Sequence, residues 1–138
     1  MLHSKHITLT ANKTEKQATL TRFKVNQGVI FRVWLNFPPG CAGLVRVRMY
    51  HEGHPFLPVD KDAYIVGDAY TFVYPVFYEI KQPPENITIE AWNTDEVYPH
   101  TIHVQFLIIP KEWVQPVGAY EGFIASLKSV FQQKGWVK

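Results

Sequence analysis

The sequence predicts an all-β protein, an antiparallel β-sandwich of jelly-roll type with one amphipathic α-helix near its C-terminal end. Three observations carry this. The runs Gly28–Phe37, Leu44–Tyr50, Ile87–Trp92 and Thr101–Ile109 alternate with a period of two, as strands with one buried face do. Turn residues separate short apolar runs at close intervals, a rhythm that favours a sandwich or jelly roll over a βαβ fold. Beyond Tyr120 the apolar spacing switches to i, i+3, i+4, i+7, the period of a helix.

The elements follow in order. Ile7 to Thr10 reads as a short edge strand or arm, and Ala11 to Lys16 as a polar turn. Thr19, Thr21, Phe23 and Val25 alternate with Arg22 and Lys24, a strand closed by the turn Asn26-Gln27-Gly28. In the next strand Val29, Phe31, Val33, Leu35 and Phe37 share one expected face, opposite Arg32 and Asn36. Pro38-Pro39-Gly40 ends it, because proline brings no ladder donor and glycine permits the turn. Val45, Val47 and Met49 oppose Arg46 and Arg48, and His51-Glu52-Gly53-His54 is a turn. Phe56-Leu57 and Tyr64–Val66 are brief strands around a loop. Tyr70–Phe77 is apolar on both faces and contains Pro75, which a sheet edge or a bulge tolerates. After the break at Gln82–Glu85, Ile87, Ile89 and Ala91 oppose Thr88 and Glu90, with Trp92 on the Glu90 side and expected at the surface. Ile102, Val104, Phe106 and Ile108 form the inner face of the last strand. Pro110 and Pro116 bracket an irregular segment. In the tail, Tyr120, Phe123, Ile124, Leu127, Val130 and Phe131 make the helical stripe, and Gly135 suits its C-terminal cap. The stripe has two seats open to it, its own sandwich or a neighbouring subunit. The organisation is therefore an N-terminal arm and edge strand (1–16), a sandwich (17–110) and a C-terminal extension with a helix (111–138).

Composition bounds the function. The 138 residues suffice for one domain with its own core. The 14% aromatic content favours strands and contact surfaces over disorder. A net charge of +2 argues for neither nucleic acid nor an acidic membrane surface as partner. The single cysteine, Cys41, cannot form an internal disulfide, which fits a reducing compartment or an assembly made inside a cell. The first residues lack the apolar stretch of a secretory signal, and no run is long and apolar enough to cross a bilayer. Asn12-Lys13-Thr14 and Asn86-Ile87-Thr88 match the glycosylation triplet by chance, on that reading.

Catalytic chemistry is sparse. His51, His54, His100 and His103 invite a metal reading. His100 and His103 are three apart, however, and on a regular strand they face opposite ways. His-x-His is missing, and Cys41 lies too early for a blue-copper set. The expectation is no metal and no cofactor, with turn histidines bonded to backbone. Cys41 reads as a small buried hydrophobe rather than a nucleophile. There is no Gly-x-Ser-x-Gly elbow and no phosphate loop. The scattered acids read as solvated faces and turns rather than a glycosidase pair. Arg32, Arg46 and Arg48 read as one basic sheet face near Trp34 and Tyr50, solvated or partner-facing rather than a nucleic-acid platform. Trp92 is a candidate for stacking on a sugar ring. Trp136, hard to bury in the domain's own core, leans towards a partner.

Three segments carry a resemblance: Gly28-Val29-Ile30, Phe37-Pro38-Pro39-Gly40-Cys41-Ala42-Gly43-Leu44-Val45, and Ala91-Trp92-Asn93-Thr94-Asp95-Glu96-Val97-Tyr98-Pro99-His100-Thr101. They resemble small virion structural proteins of tailed phages and prophages, chiefly capsid decoration or other head accessory proteins, over about Gln17 to Phe106. The resemblance implies a non-enzymatic protein made in the host cytoplasm and resident in the virion. It implies a symmetric oligomer, a trimer favoured, seated on the major capsid protein or other virion subunits, and it brings no catalytic residues. The expected partner-binding residues are Ile7 and Leu9 in the arm and Trp113, Phe123, Leu127, Phe131 and Trp136 in the tail. Two other classes stay open: a carbohydrate- or host-receptor-binding module using Trp92, and a small metal-dependent β-barrel enzyme.

Overall fold

The chain doubles back at one hairpin, and that hairpin is rolled up. The structure, a computed structural model, describes residues 1–81, 85–114 and 127–128. Eight strands run β1 Leu2–Leu9, β2 Thr19–Val25, β3 Gly28–Phe37, β4 Val45–His51, β5 His54–Leu57, β6 Tyr70–Ile80, β7 Glu85–Asn93 and β8 His100–Ile109. The central hairpin pairs β4 with β5, and the flanking strands pair outward from it: β3 with β6, β2 with β7, β1 with β8, all antiparallel. Further pairing of β3 with β8 and β4 with β7 closes two sheets, ordered β1-β8-β3-β6 and β2-β7-β4-β5. This is the strand order of a jelly roll.

The core is what the alternation leaves inside. Val45, Val47, Met49, Ile87, Ile89, Ala91, Ile102, Val104 and Phe106 are all buried between the sheets. In β3 the phase shifts. A bulge between Ile30 and Arg32 sends Ile30, Val33, Leu35 and Phe37 inward. Val29 and Phe31, expected on that face, lie outside the core cluster, because one extra residue in a strand flips every side chain before it. The partner side of the bulge holds Phe77 at φ 52°, a left-handed conformation that costs a bulky residue about 1–2 kcal/mol. β6 is a sheet edge, where Pro75 and a bulge are both tolerated, as its sequence required.

Several expectations change. Residues 1–16 are no free arm. β1 pairs with β8 from Leu2 to Leu9 and buries Ile7 and Leu9 in the core. Both side chains are therefore withdrawn from any partner surface. A single 3₁₀ turn, Glu15–Gln17, overlaps the end of the expected polar turn and runs one residue past it. Tyr64–Val66 is not a strand but a single bridge, Ile65 to Val47. The segment after Pro110, expected irregular, forms a short helix, α1 Lys111–Val114. The longer helix expected from Tyr120 lies outside the described residues, except that Leu127 and Lys128 are helical, Leu127 half-buried.

Candidate functional site

The two loops with the most distinctive sequences meet at one end of the sandwich. Asn93 ends β7 fully buried, and its amide organises the loop that follows. Its Nδ2 donates to the Leu9 and Tyr98 carbonyls at 3.3 and 2.9 Å, and its Oδ1 accepts from the Asp95 N–H at 2.9 Å. Asp95 Oδ1 accepts from the Val97 and Tyr98 N–H groups at 2.9 and 3.2 Å, and its Oδ2 accepts from His100 Nε2 at 2.8 Å. The Val97 N–H, then the His100 ring, then the Tyr98 N–H hold the Asp95 carboxyl below the usual aspartate range. The loop is tied to its neighbour by Thr94, whose N–H and hydroxyl both donate to the Leu44 carbonyl, at 2.9 and 2.7 Å. Across from it, Asp68 Oδ1 accepts from the Gly40 and Ala42 N–H groups at 2.9 and 3.2 Å. Gly67, beside it, can be nothing else: a Cβ there would stand 2.8 Å from the Phe37 and Phe72 rings.

This knot is a fastening rather than a reaction centre. Cys41 is fully buried within it, and burial first, then the charges of Asp68 and Asp95, push its thiol up. A thiol held in the neutral form is a poor nucleophile. What the knot does expose is Val97 and Tyr98, at the tip of a loop whose backbone is already hydrogen-bonded. Such a tip loses little entropy on contact.

The outer face of the β1-β8-β3-β6 sheet divides into two halves, read as cross-strand rows. One row is His6, His103, Asn36 and Thr71. Here the His6 and His103 rings stack at 4.0 Å, Ser4 Oγ and His103 Nε2 share a hydrogen bond of 2.7 Å, and Asn36 Nδ2 donates to Thr71 Oγ1 at 2.8 Å. The next row, Ser4, Gln105, Trp34 and Val73, turns apolar towards β6. The third is Leu2, Leu107, Arg32 and Pro75, and beside it Phe31 meets Phe77 edge-on at 4.9 Å. Leu2, Val73 and Phe77 are 55%, 49% and 56% exposed. Exposed apolar side chains gathered on one face mark interaction sites, and here exposed Arg32 and half-buried Gln105 stand among them. Sequence reasoning missed this patch, although the run Tyr70–Phe77, apolar on both faces, was its signal. At its margin α1 packs against β3, and Lys111 Nζ reaches Glu79 Oε1 of β6 at 2.9 Å. Trp113 is 70% exposed.

The other expected site residues are dispersed. Trp92 shares the Glu90 face as predicted but is only 2% exposed. Tyr64 stands edge-on to it at 5.7 Å and the Arg48 guanidinium lies 5.2 Å from its ring, so it offers no face to a sugar. The three arginines do not form one surface. Arg46 and Arg48 line the outer face of β2-β7-β4-β5, while Arg32 and Trp34 belong to the opposite sheet. Arg48 is paired with Glu90 at 2.8 Å and Glu15 at 2.6 Å. His51 meets Tyr78 at the far end of β4, His54 is exposed, His100 belongs to the loop knot and His103 to the sheet face. Among the described residues no three His, Cys, Asp or Glu side chains group to hold a metal ion. A cleft of about 350 Å³ is lined by Met1, His3, Asn26, Gln27 and Lys111, among others. Its cations are paired within the fold: Lys111 with Glu79, the Met1 amine with the Ile108 carbonyl. Phe123, Phe131 and Trp136 lie outside the described residues. No family model, curated protein or solved structure matches the chain.

Proposed function

We propose that this chain is a non-enzymatic structural protein of a virus particle, made in the host cytoplasm, that decorates or cements the capsid shell as a symmetric oligomer, a trimer favoured. The observation that carries the reading is the placement of its exposed apolar side chains. Leu2, Val73 and Phe77 lie on one half of one sheet face, and Trp113 stands beside its margin. The rest of the fold supports it. The polar groups of the loop knot are tied into structural hydrogen bonds, and a two-sheet sandwich is a rigid body for presenting contacts. Many weak copies, each burying apolar surface at roughly 25 cal/mol per Å², reinforce a shell collectively. Jelly rolls also serve as lectin domains and enzymes, so the fold alone does not select the function. What supports the present reading is the likeness of the sequence to phage head accessory proteins together with the exposed apolar side chains of one sheet face.

The test is the mass of the purified chain in solution, together with co-sedimentation on empty capsids produced without it by the phage or prophage that encodes it. The expected result is an oligomer that pellets with the capsids. A chain truncated before Pro116 is expected to stay folded, run as a monomer and remain in the supernatant. A full-length monomer without affinity for the particle overturns the proposal.

A further inference from the structure

We propose that β1 is an acid-sensitive clasp: in mildly acidic medium the charge gained by histidines on both of its faces loosens its pairing with β8 and opens one edge of the sandwich. The inference concerns the single chain and stands whether or not copies assemble.

On the outer face His6 lies directly across from His103 of β8. Their rings are stacked 4.0 Å apart and 9° from parallel. Neutral imidazoles tolerate that arrangement. Two imidazolium rings so placed repel, as like charges directly opposite on a sheet do. The neighbours that share the face do not offset the repulsion. Ser4 and Thr8 on β1, Thr101 and Gln105 on β8, Asn36 on β3 and Thr71 on β6 are all uncharged. Arg32, two rows along, is itself a cation. The carboxylates of Glu79 and Asp95 are engaged with Lys111 and His100.

On the inner face His3 lies across from Phe106, their rings 4.9 Å apart and 18° from parallel, with the Phe23 ring edge-on at 6.0 Å. Its Nε2 is buried and has no hydrogen-bond partner among the described residues. Neutral imidazole can leave that nitrogen as a bare lone pair. Imidazolium puts an N–H there, a buried donor without an acceptor. The ionic groups around it are the Met1 amine, Lys5 and Lys111, against the exposed carboxylate of Glu112. Burial first, then the Met1 amine, hold His3 below the usual histidine range; burial first, then His6, do the same for His103. A base with a depressed folded value binds fewer protons folded than unfolded. Its contribution to stability is complete above the unfolded value, about 6.5, and is lost as pH falls through the folded value. β1 is a sheet edge bonded to β8, so opening that one seam relieves both charges, and it bares Ile7, Leu9 and the edge of β8.

The test is hydrogen exchange of the full chain, read peptide by peptide at about pH 7.5 and about pH 5.5, either side of the histidine range, and corrected for the intrinsic rate at each pH. The expected result is that protection of Leu2–Leu9 falls several-fold at the lower pH while β4 and β7 keep theirs. His3→Leu with His6→Gln is expected to remove that dependence, and His54→Gln, at an exposed turn histidine, to leave it unchanged. Equal protection of β1 at the two pH values overturns the inference. So does a loss shared by every strand, or one that survives in the double variant. Where the double variant does not fold, His6→Gln alone, at an exposed position, is expected to reduce the dependence, and no reduction overturns the inference.

Discussion

At the scale of the residue, two hydrogen-bonded polar groups, at Asp95 and at Arg48, hold structure rather than chemistry. Asp95 accepts two backbone N–H groups and the His100 ring, and its carboxyl is held below the usual aspartate range. A carboxyl with a depressed folded value stabilises the fold above its unfolded value, near 3.9, and that stabilisation is lost as pH falls through the folded value. Asp95→Asn is therefore expected to lower the melting temperature at pH 7, and the gap to the wild type is expected to narrow below about pH 4. Thermal melts across that range check it, and a gap that stays constant contradicts it. Arg48 is the second case. The hydrogen bond to Glu90, then that to Glu15, raise its already high value against the cost of burial. Its loss leaves Glu90 without a counter-charge and uncovers Trp92. Arg48→Ala is expected to cost about 3 kcal/mol in urea denaturation. Arg48→Ala with Glu90→Ala is expected to recover part of that, because the second change removes the stranded carboxylate. No sequence pattern announced either pair. Glu15 and Arg48 are far apart in the chain, and only the roll of the hairpin brings them together.

At the scale of the element, alternation told inside from outside almost everywhere. It named the residues of β4, β7 and β8 that face the core between the sheets correctly. It placed Pro75 at an edge or bulge, and both are present. It failed where a strand departs from period two or where something outside the sheet covers a side chain. The bulge at Phe31 reversed the face of Val29. Tyr64 and Arg48 buried Trp92, which the strand pattern alone put at the surface. β1 is the instructive element. Its apolar pair Ile7 and Leu9 is too short to distinguish a docking arm from an edge strand, and the pairing with β8 decides for the strand. Leu9→Ala is accordingly expected to destabilise the chain by about 3 kcal/mol, the usual cost of a core cavity. Equilibrium unfolding checks it. A loss of assembly without a loss of stability would restore the arm.

At the scale of the whole molecule, the nested hairpin joins the two ends of the sandwich domain, since β1 and β8 are neighbours. Pairing over that sequence distance makes folding slow, and it ties the first strand to the last within residues 2–109. The truncation before Pro116 is expected to keep its fold for that reason and to change only its mass in solution. From the sequence alone came the β-class, the approximate strand limits and most of the core, because a side-chain period of two is local and is imposed by burial on one face. Tertiary structure alone decided which strands are neighbours, which arginines find acids, and which apolar residues remain outside. Those outcomes depend on strands far apart in the chain meeting at one register, and no local pattern records who the neighbour is.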